Sequence, residues 1–122
     1  MRSAAQAYGA IARQVASPRE LEADLLLKAA ARLQAAEDSW TTRKPPQLDD
    51  ALLYNRKLWT IFIASITTPK HPMPAEIRQN VADLGLFVLQ QSISILANPK
   101  RGALSTLIRI NRELAAGLRG AG

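Results

Sequence analysis

The sequence predicts an all-α fold, a single-domain helical bundle of four substantial helices plus a weaker N-terminal helix, spanning residues 1–122. Three observations predict it. Apolar side chains recur at three-four spacing in separate segments, the periodicity of a helix with one buried side. No segment shows the alternating valine, isoleucine and threonine pattern of a strand. Proline-containing punctuation cuts the chain into helix-length pieces. A chain of 122 residues can bury about two-thirds of its unfolded surface as one domain. Its 48% hydrophobic and 21% charged content is that of a globular protein rather than a disordered one.

A first, weaker helix is expected over roughly Ala4 to Val15, with Ala4, Ala7, Tyr8, Ile11 and Val15 on one side. Gly9 lowers its intrinsic stability, so it should be short or need a docking surface. The second helix has the clearest start signal. Ser17-Pro18-Arg19-Glu20 places a capping hydroxyl, a first-turn proline and a reciprocal carboxylate at their preferred positions. Leu21, Leu25, Leu26, Ala29, Leu33, Ala36 and Trp40 form its apolar side, and Ala29-Ala30-Ala31 allows close approach of another helix. Thr41 to Gln47, with Pro45-Pro46, reads as a linker.

The third helix is expected from Leu48 or Asp49 to Ile66, with the buried stripe Leu48, Leu52, Asn55, Trp59, Phe62 and Ile66. Asp49 and Asp50 suit its first turn, where the helix dipole is positive. Residues 67–74, with prolines at 69, 72 and 74, form a stiff loop. Pro74 as a first-turn residue and Glu76 open the fourth helix, whose stripe is Ile77, Val81, Leu84, Val88, Gln91 and Ile95. Leu86, Phe87 and Ile93 lie off that stripe, so this helix is apolar on more than one side. That implies either a central position or a second face for a partner. Asn98-Pro99 ends it. A fifth helix begins near Gly102 or Ala103 with Leu104, Leu107, Asn111, Leu114 and Leu118, and Gly117 and Gly120 fray or close it.

Composition removes several function classes. There is no cysteine, so disulfides, thiol catalysis and cysteine-ligated metals are excluded. His71 is the single histidine, which leaves no donor set for a metal. The Met1–Tyr8 stretch lacks the apolar core of a secretory signal. The longest apolar stretch, Leu58 to Ile66, is far shorter than the roughly 20 residues that span a bilayer. A cytoplasmic protein without membrane insertion is therefore expected. No phosphate-binding loop, dinucleotide fingerprint, nucleophile elbow or zinc-protease pattern occurs, and the carboxylates Glu20, Glu22, Asp24, Asp49 and Asp50 sit where helix starts favour negative charge. No enzyme activity, cofactor or metal is expected. The net charge is +6, and its excess lies in Lys100, Arg101, Arg109, Arg112 and Arg119 against Glu113 alone. That segment is either a solvated helix surface or a face for an acidic or nucleic-acid partner.

The most informative segment is Tyr54-Asn55-Arg56-Lys57-Leu58-Trp59-Thr60-Ile61-Phe62-Ile63. It gathers Tyr54, Trp59 and Phe62 and sets a polar amide, Asn55, in a buried stripe. An unpaired buried amide costs about 1–3 kcal/mol, so Asn55 needs a partner. Asn111-Arg112-Glu113-Leu114 repeats the situation. Two roles are open for these asparagines: bridging helices inside the bundle, or fixing the register of a bound helix as buried asparagines do in coiled coils. Asn80 is a third candidate.

The chain resembles the FlaF family of flagellar biosynthesis regulators. The resemblance is carried by Ser17-Pro18-Arg19-Glu20-Leu21-Glu22-Ala23, Lys28 to Leu33, Ala51-Leu52-Leu53-Tyr54-Asn55-Arg56-Lys57-Leu58-Trp59-Thr60, Glu76 to Val88, and Leu107-Ile108-Arg109-Ile110-Asn111-Arg112-Glu113-Leu114-Ala115-Ala116-Gly117-Leu118. It implies a cytoplasmic role in flagellin synthesis or secretion alongside the regulator FlbT, and a flagellin-binding secretion chaperone. The expected partner is a terminal helical segment of flagellin, apolar and exposed before export. The residue-level expectation is our own. Trp59, Phe62 or Phe87 would supply apolar contact, while Tyr54, Asn55, Arg56, Asn80, Asn111 and Arg112 would set register or pair with client carboxylates. The competing expectations are a regulator that binds flagellin messenger RNA through Arg109, Arg112 and Arg119, and an adaptor that acts through FlbT.

Overall fold

The computed structural model describes residues 18–120, and the N-terminal helix expected over residues 4–15 lies outside them. Four helices follow one another: α1 (Pro18–Asp38), α2 (Leu48–Ile66), α3 (Ala75–Ala97) and α4 (Ser105–Gly120). The fold is all-α, as the periodicity predicts. α1 packs along α4 and α2, while α3 packs on α2. Three helices thus surround the main core, and α3 is an outer layer with one substantial neighbour.

Pro18 opens α1, where its fixed φ suits a helix and its missing N–H costs nothing. The buried side of α1 is Ala23, Leu26, Ala29, Ala30, Leu33 and Ala36. Its small residues bring α4 close, which accounts for the expected role of Ala29 and Ala30; Ala31 faces solvent. Leu21 departs from the expected stripe and is 46% exposed. After Asp38 the chain turns back and buries Trp40 against the core. The Gln47 amide donates to the Ser39 hydroxyl at 2.8 Å and closes the linker.

α2 starts and ends at the residues the sequence indicates. Leu48, Leu52, Asn55, Trp59, Phe62 and Ile66 are all buried along it. Its C-terminal carbonyls are met from outside. The Thr67 and Thr68 hydroxyls donate to the Ala64 and Ser65 carbonyls. Arg78, one helix later, donates to the carbonyls of Thr68 and Ile66 at 3.0 and 3.4 Å. A cation at a helix C-terminus is favoured by the dipole as well as by these bonds.

Two boundaries differ from expectation. Pro74 is the residue before α3 rather than its first turn, with extended ψ of 146°. The last helix begins at Ser105, after a turn in which Gly102 takes φ +90°, a conformation that glycine adopts without steric cost. The helix runs through Gly117 and ends at Gly120, the last described residue.

The buried line of α3 differs in part. Val81, Val88 and Ile95 are buried as expected and Gly85 and Ser92 join them, whereas Ile77 is exposed and Leu84 and Gln91 are half-buried. The physical reason is the partner surface. α2 presents Trp59 and Ile63, so the facing ridge must be small. A Cβ on Gly85 would lie 2.5 Å from Ile63 Cδ1 and 3.1 Å from Trp59 Cε3. Ser92 is tolerated inside because its hydroxyl donates to the Val88 carbonyl one turn back, at 2.8 Å. The rotation toward small residues turns Leu86, Phe87, Ile93 and Leu96 outward. α3 is therefore not central; it carries a second apolar face.

Candidate functional site

The polar stripe residues meet inside the bundle. Trp59 Nε1 donates to Asn111 Oδ1 at 2.9 Å. Asn111 Nδ2 donates to Asn55 Oδ1 at 2.7 Å and lies 3.4 Å from the Leu26 carbonyl. An indole N–H can only donate, so it orients the Asn111 amide, and that in turn orients Asn55. The chain of bonds ties α2 to α4 and touches α1. Asn55, Trp59 and Asn111 have no exposed surface. Of the two roles open for the asparagines, bridging within the bundle is the one observed. Asn55 Nδ2 is left without a protein partner.

The expected contact residues fall in different environments. Asn55, Trp59, Phe62 and Asn111 are core residues, with Phe62 edge-on to Trp59 at 5.7 Å between ring centroids. They do not form an open face. Tyr54 is half-buried beneath Arg32, whose guanidinium carbon sits 4.2 Å from the ring centroid. Arg112 is exposed on α4 and donates to Gln34 of α1 at 3.4 Å. Asn80 and Phe87 are exposed on one flank of α3. Arg56 is half-exposed on α2. The nine residues therefore do not converge on one site.

A surface that sequence reasoning did not assemble lies between α2 and α3. A groove of about 400 Å³ is lined by Leu53, Arg56, Lys57, Thr60 and Ile61 of α2 and by Leu89 and Ile93 of α3. Its aliphatic side chains are open to solvent, with Ile61 68%, Ile93 59% and Leu53 44% exposed. Leu86 and Leu96 extend the same flank of α3 at three-four spacing with Leu89 and Ile93. The signal was present in Leu86 and Ile93 lying off the predicted stripe. What joined them to Leu53 and Ile61 was the packing of two helices.

α3 has no charged side chain between Asp83 and Lys100. By length and composition it is apolar enough to cross a bilayer, and 28% of its most apolar stretch is buried. Gln90, Gln91, Ser92 and Ser94 break its apolar run without adding charge, so no long uninterrupted run marks it in the sequence.

A second apolar cavity, about 340 Å³, lies where Arg19, the 71–74 turn, Ile77 and Val81 meet the end of α4 at Leu114 and Leu118. Beside it, His71 Nδ1 accepts the Met73 backbone N–H at 3.2 Å. His71 Nε2 approaches Glu22 Oε1 at 3.6 Å. Burial raises the pKa of Glu22 above its ordinary 4.5, and the bonding and charge of His71 oppose that shift without cancelling it. Among the described residues no cluster of three or more His, Cys, Asp or Glu is placed to hold a metal ion.

The basic residues of the C-terminal segment are partly engaged. Arg119 pairs with Asp24 of α1, and Arg109 and Arg112 share a shallow depression with Glu37 and Glu113. The face is mixed in sign rather than a basic strip.

Fold and surface together define a small all-α protein with a sealed polar core and an aliphatic groove on its outer helix pair. The chain belongs to the FlaF family of flagellar proteins: the model of the family described as flagellar protein FlaF matches residues 4–118. No curated protein and no solved structure matches the chain.

Proposed function

We propose that this flagellar protein is a cytoplasmic secretion chaperone that holds a terminal helical segment of flagellin before export. The observation that carries the reading is the solvent-facing aliphatic surface of α2 and α3 on a member of the FlaF family. Exposed apolar surface of this kind marks a partner site on a soluble chain. Two helices side by side form a trough that suits an amphipathic helix. Flagellin segments that pack only in the filament need such cover while unassembled. Binding must be reversible, since export strips the chaperone away.

Co-purification with full-length flagellin and with versions lacking either terminal helix tests this. A discrete complex lost with one truncation is the expected result. No complex at any salt concentration overturns it. The messenger-RNA reading draws less support. Tyr54 is occupied by Arg32, and the arginines of α4 are interleaved with carboxylates, which is a poor arrangement for stacking bases or tracking phosphates. No feature of the structure favours the FlbT adaptor over direct flagellin binding.

A further inference from the structure

The groove between α2 and α3 has a sign as well as a shape. Arg56 and Lys57 lie within it, and among the described residues neither has a carboxylate within 4.0 Å. The α3 wall opposite is uncharged. Asp49, one turn before Leu53 on α2, is already paired with Lys44 at 3.2 Å. The aliphatic wall from Leu86 to Leu96 covers roughly 15 Å of helix axis, about three turns. We propose that this groove receives an amphipathic helix of about three turns, with an aliphatic stripe flanked by aspartate or glutamate that meets Arg56 and Lys57. The inference rests on the flagellin-chaperone reading for the origin of that helix, and adds the chemistry by which the segment is chosen.

Charge and geometry argue against the other occupants. A second copy docking groove to groove would set Arg56 and Lys57 against their own counterparts, because a two-fold interface brings the same patch onto itself. A flat bilayer surface does not fill a trough between two helices. A helix with lysines beside its stripe would meet like charge. Apolar contact supplies the hold, and the two cations select which stripe is accepted.

The test uses the full chain and three synthetic amphipathic peptides of roughly 20 residues. They share one aliphatic stripe and carry glutamate, glutamine or lysine beside it. The glutamate peptide should bind at least about tenfold more tightly than the lysine peptide at low salt, and the gap should narrow as salt rises. The variant Arg56→Glu/Lys57→Glu should reverse the order. Ile61→Asp/Ile93→Asp should abolish binding of all three. All four positions keep solvent-facing surface, and circular dichroism with thermal unfolding verifies each variant's fold. Equal affinity for the three peptides, or an order unchanged by the charge reversal, overturns the proposal. So does a concentration-dependent dimer removed by the aspartate variant, or binding to phosphatidylglycerol vesicles with no binding to any peptide. Flagellin separates the two readings. If wild type and groove variants hold flagellin equally well, the groove proposal fails and the chaperone reading stands. If the glutamate peptide binds and flagellin does not, the chaperone reading fails and the groove proposal stands.

Discussion

Trp59 donates its indole N–H to the Asn111 side-chain carbonyl, 52 positions away in the chain, and that 2.9 Å bond sets the direction of the whole buried polar network. Asn111 has both ends engaged. Asn55 has only its oxygen engaged. Two asparagines that look alike in the sequence are therefore unequal in the fold.

Asn111→Leu strands the Trp59 N–H and the Asn55 oxygen, at about 1–3 kcal/mol for each buried group. Asn55→Leu removes an amide that is already half unpaired, and leaves Asn111 Nδ2 near the Leu26 carbonyl. Urea unfolding should show Asn111→Leu to be the more destabilising by at least about 1 kcal/mol. The double variant should cost less than the sum of the two, because the stranded Asn55 oxygen is gone. Equal losses in the single variants would contradict the inequality of the two asparagines.

Glu37 of α1 reaches the start of α4. Its carboxylate accepts the Gly102 N–H at 2.9 and 3.1 Å and lies 3.4 Å from the Leu104 N–H. It braces the turn that leads into α4 from another helix, where negative charge also meets the dipole. Glu37→Ala should cost about 1 kcal/mol, with amide exchange rising first at Gly102 and Leu104. Unchanged exchange there would remove the bracing role.

Gly85 marks the closest approach of α3 to α2. Gly85→Val should destabilise by about 1–3 kcal/mol through overpacking against Ile63 and Trp59. The loss should be local. Hydrogen exchange should accelerate in α3 while α1 and α4 keep their protection, because α3 has one substantial packing partner. Uniform acceleration across the chain would contradict the layered arrangement.

Glu22 gives the protein a pH dependence of definite sign. Its pKa is raised in the fold by burial, so the native state binds the proton more tightly than the unfolded chain does. Its contribution to stability is fully present below the ordinary value of 4.5 and is lost as pH rises through the raised value. Glu22→Gln should therefore gain stability relative to wild type at neutral pH, and that advantage should shrink as pH falls toward 4.5. Denaturant midpoints measured across this range check it. An advantage that grows toward acid would overturn the assignment.

Much of this architecture was legible from side-chain periodicity. α2 reads correctly at both ends because its apolar residues keep strict spacing over five turns and its neighbours are punctuated by prolines. α3 reads correctly in extent to within a residue and only in part in rotation. Hydrophobicity favours Ile77 and Leu84 as inward positions, whereas close packing against Ile63 and Trp59 demands Gly85. The start of α4 is displaced because the turn before it is held by Glu37, which is remote in sequence, and local rules cannot register it. The expected contact residues divide for a similar reason. Aromatic and amide side chains satisfy a core network and a binding face equally well on a helical wheel, and Trp59 and Asn55 went to the core.

By itself, the sequence determined the helical fold, the four segments, the need for a partner at Asn55 and the resemblance to FlaF proteins. These follow from short-range spacing and from matched residues along the chain. Only the tertiary structure decided that Asn55 is answered by Asn111 and that Leu53 and Ile61 share a trough with Leu89 and Ile93. Both depend on which faces of separate helices meet. That is set by the fit of small residues against large ones, which periodicity along a single helix does not encode.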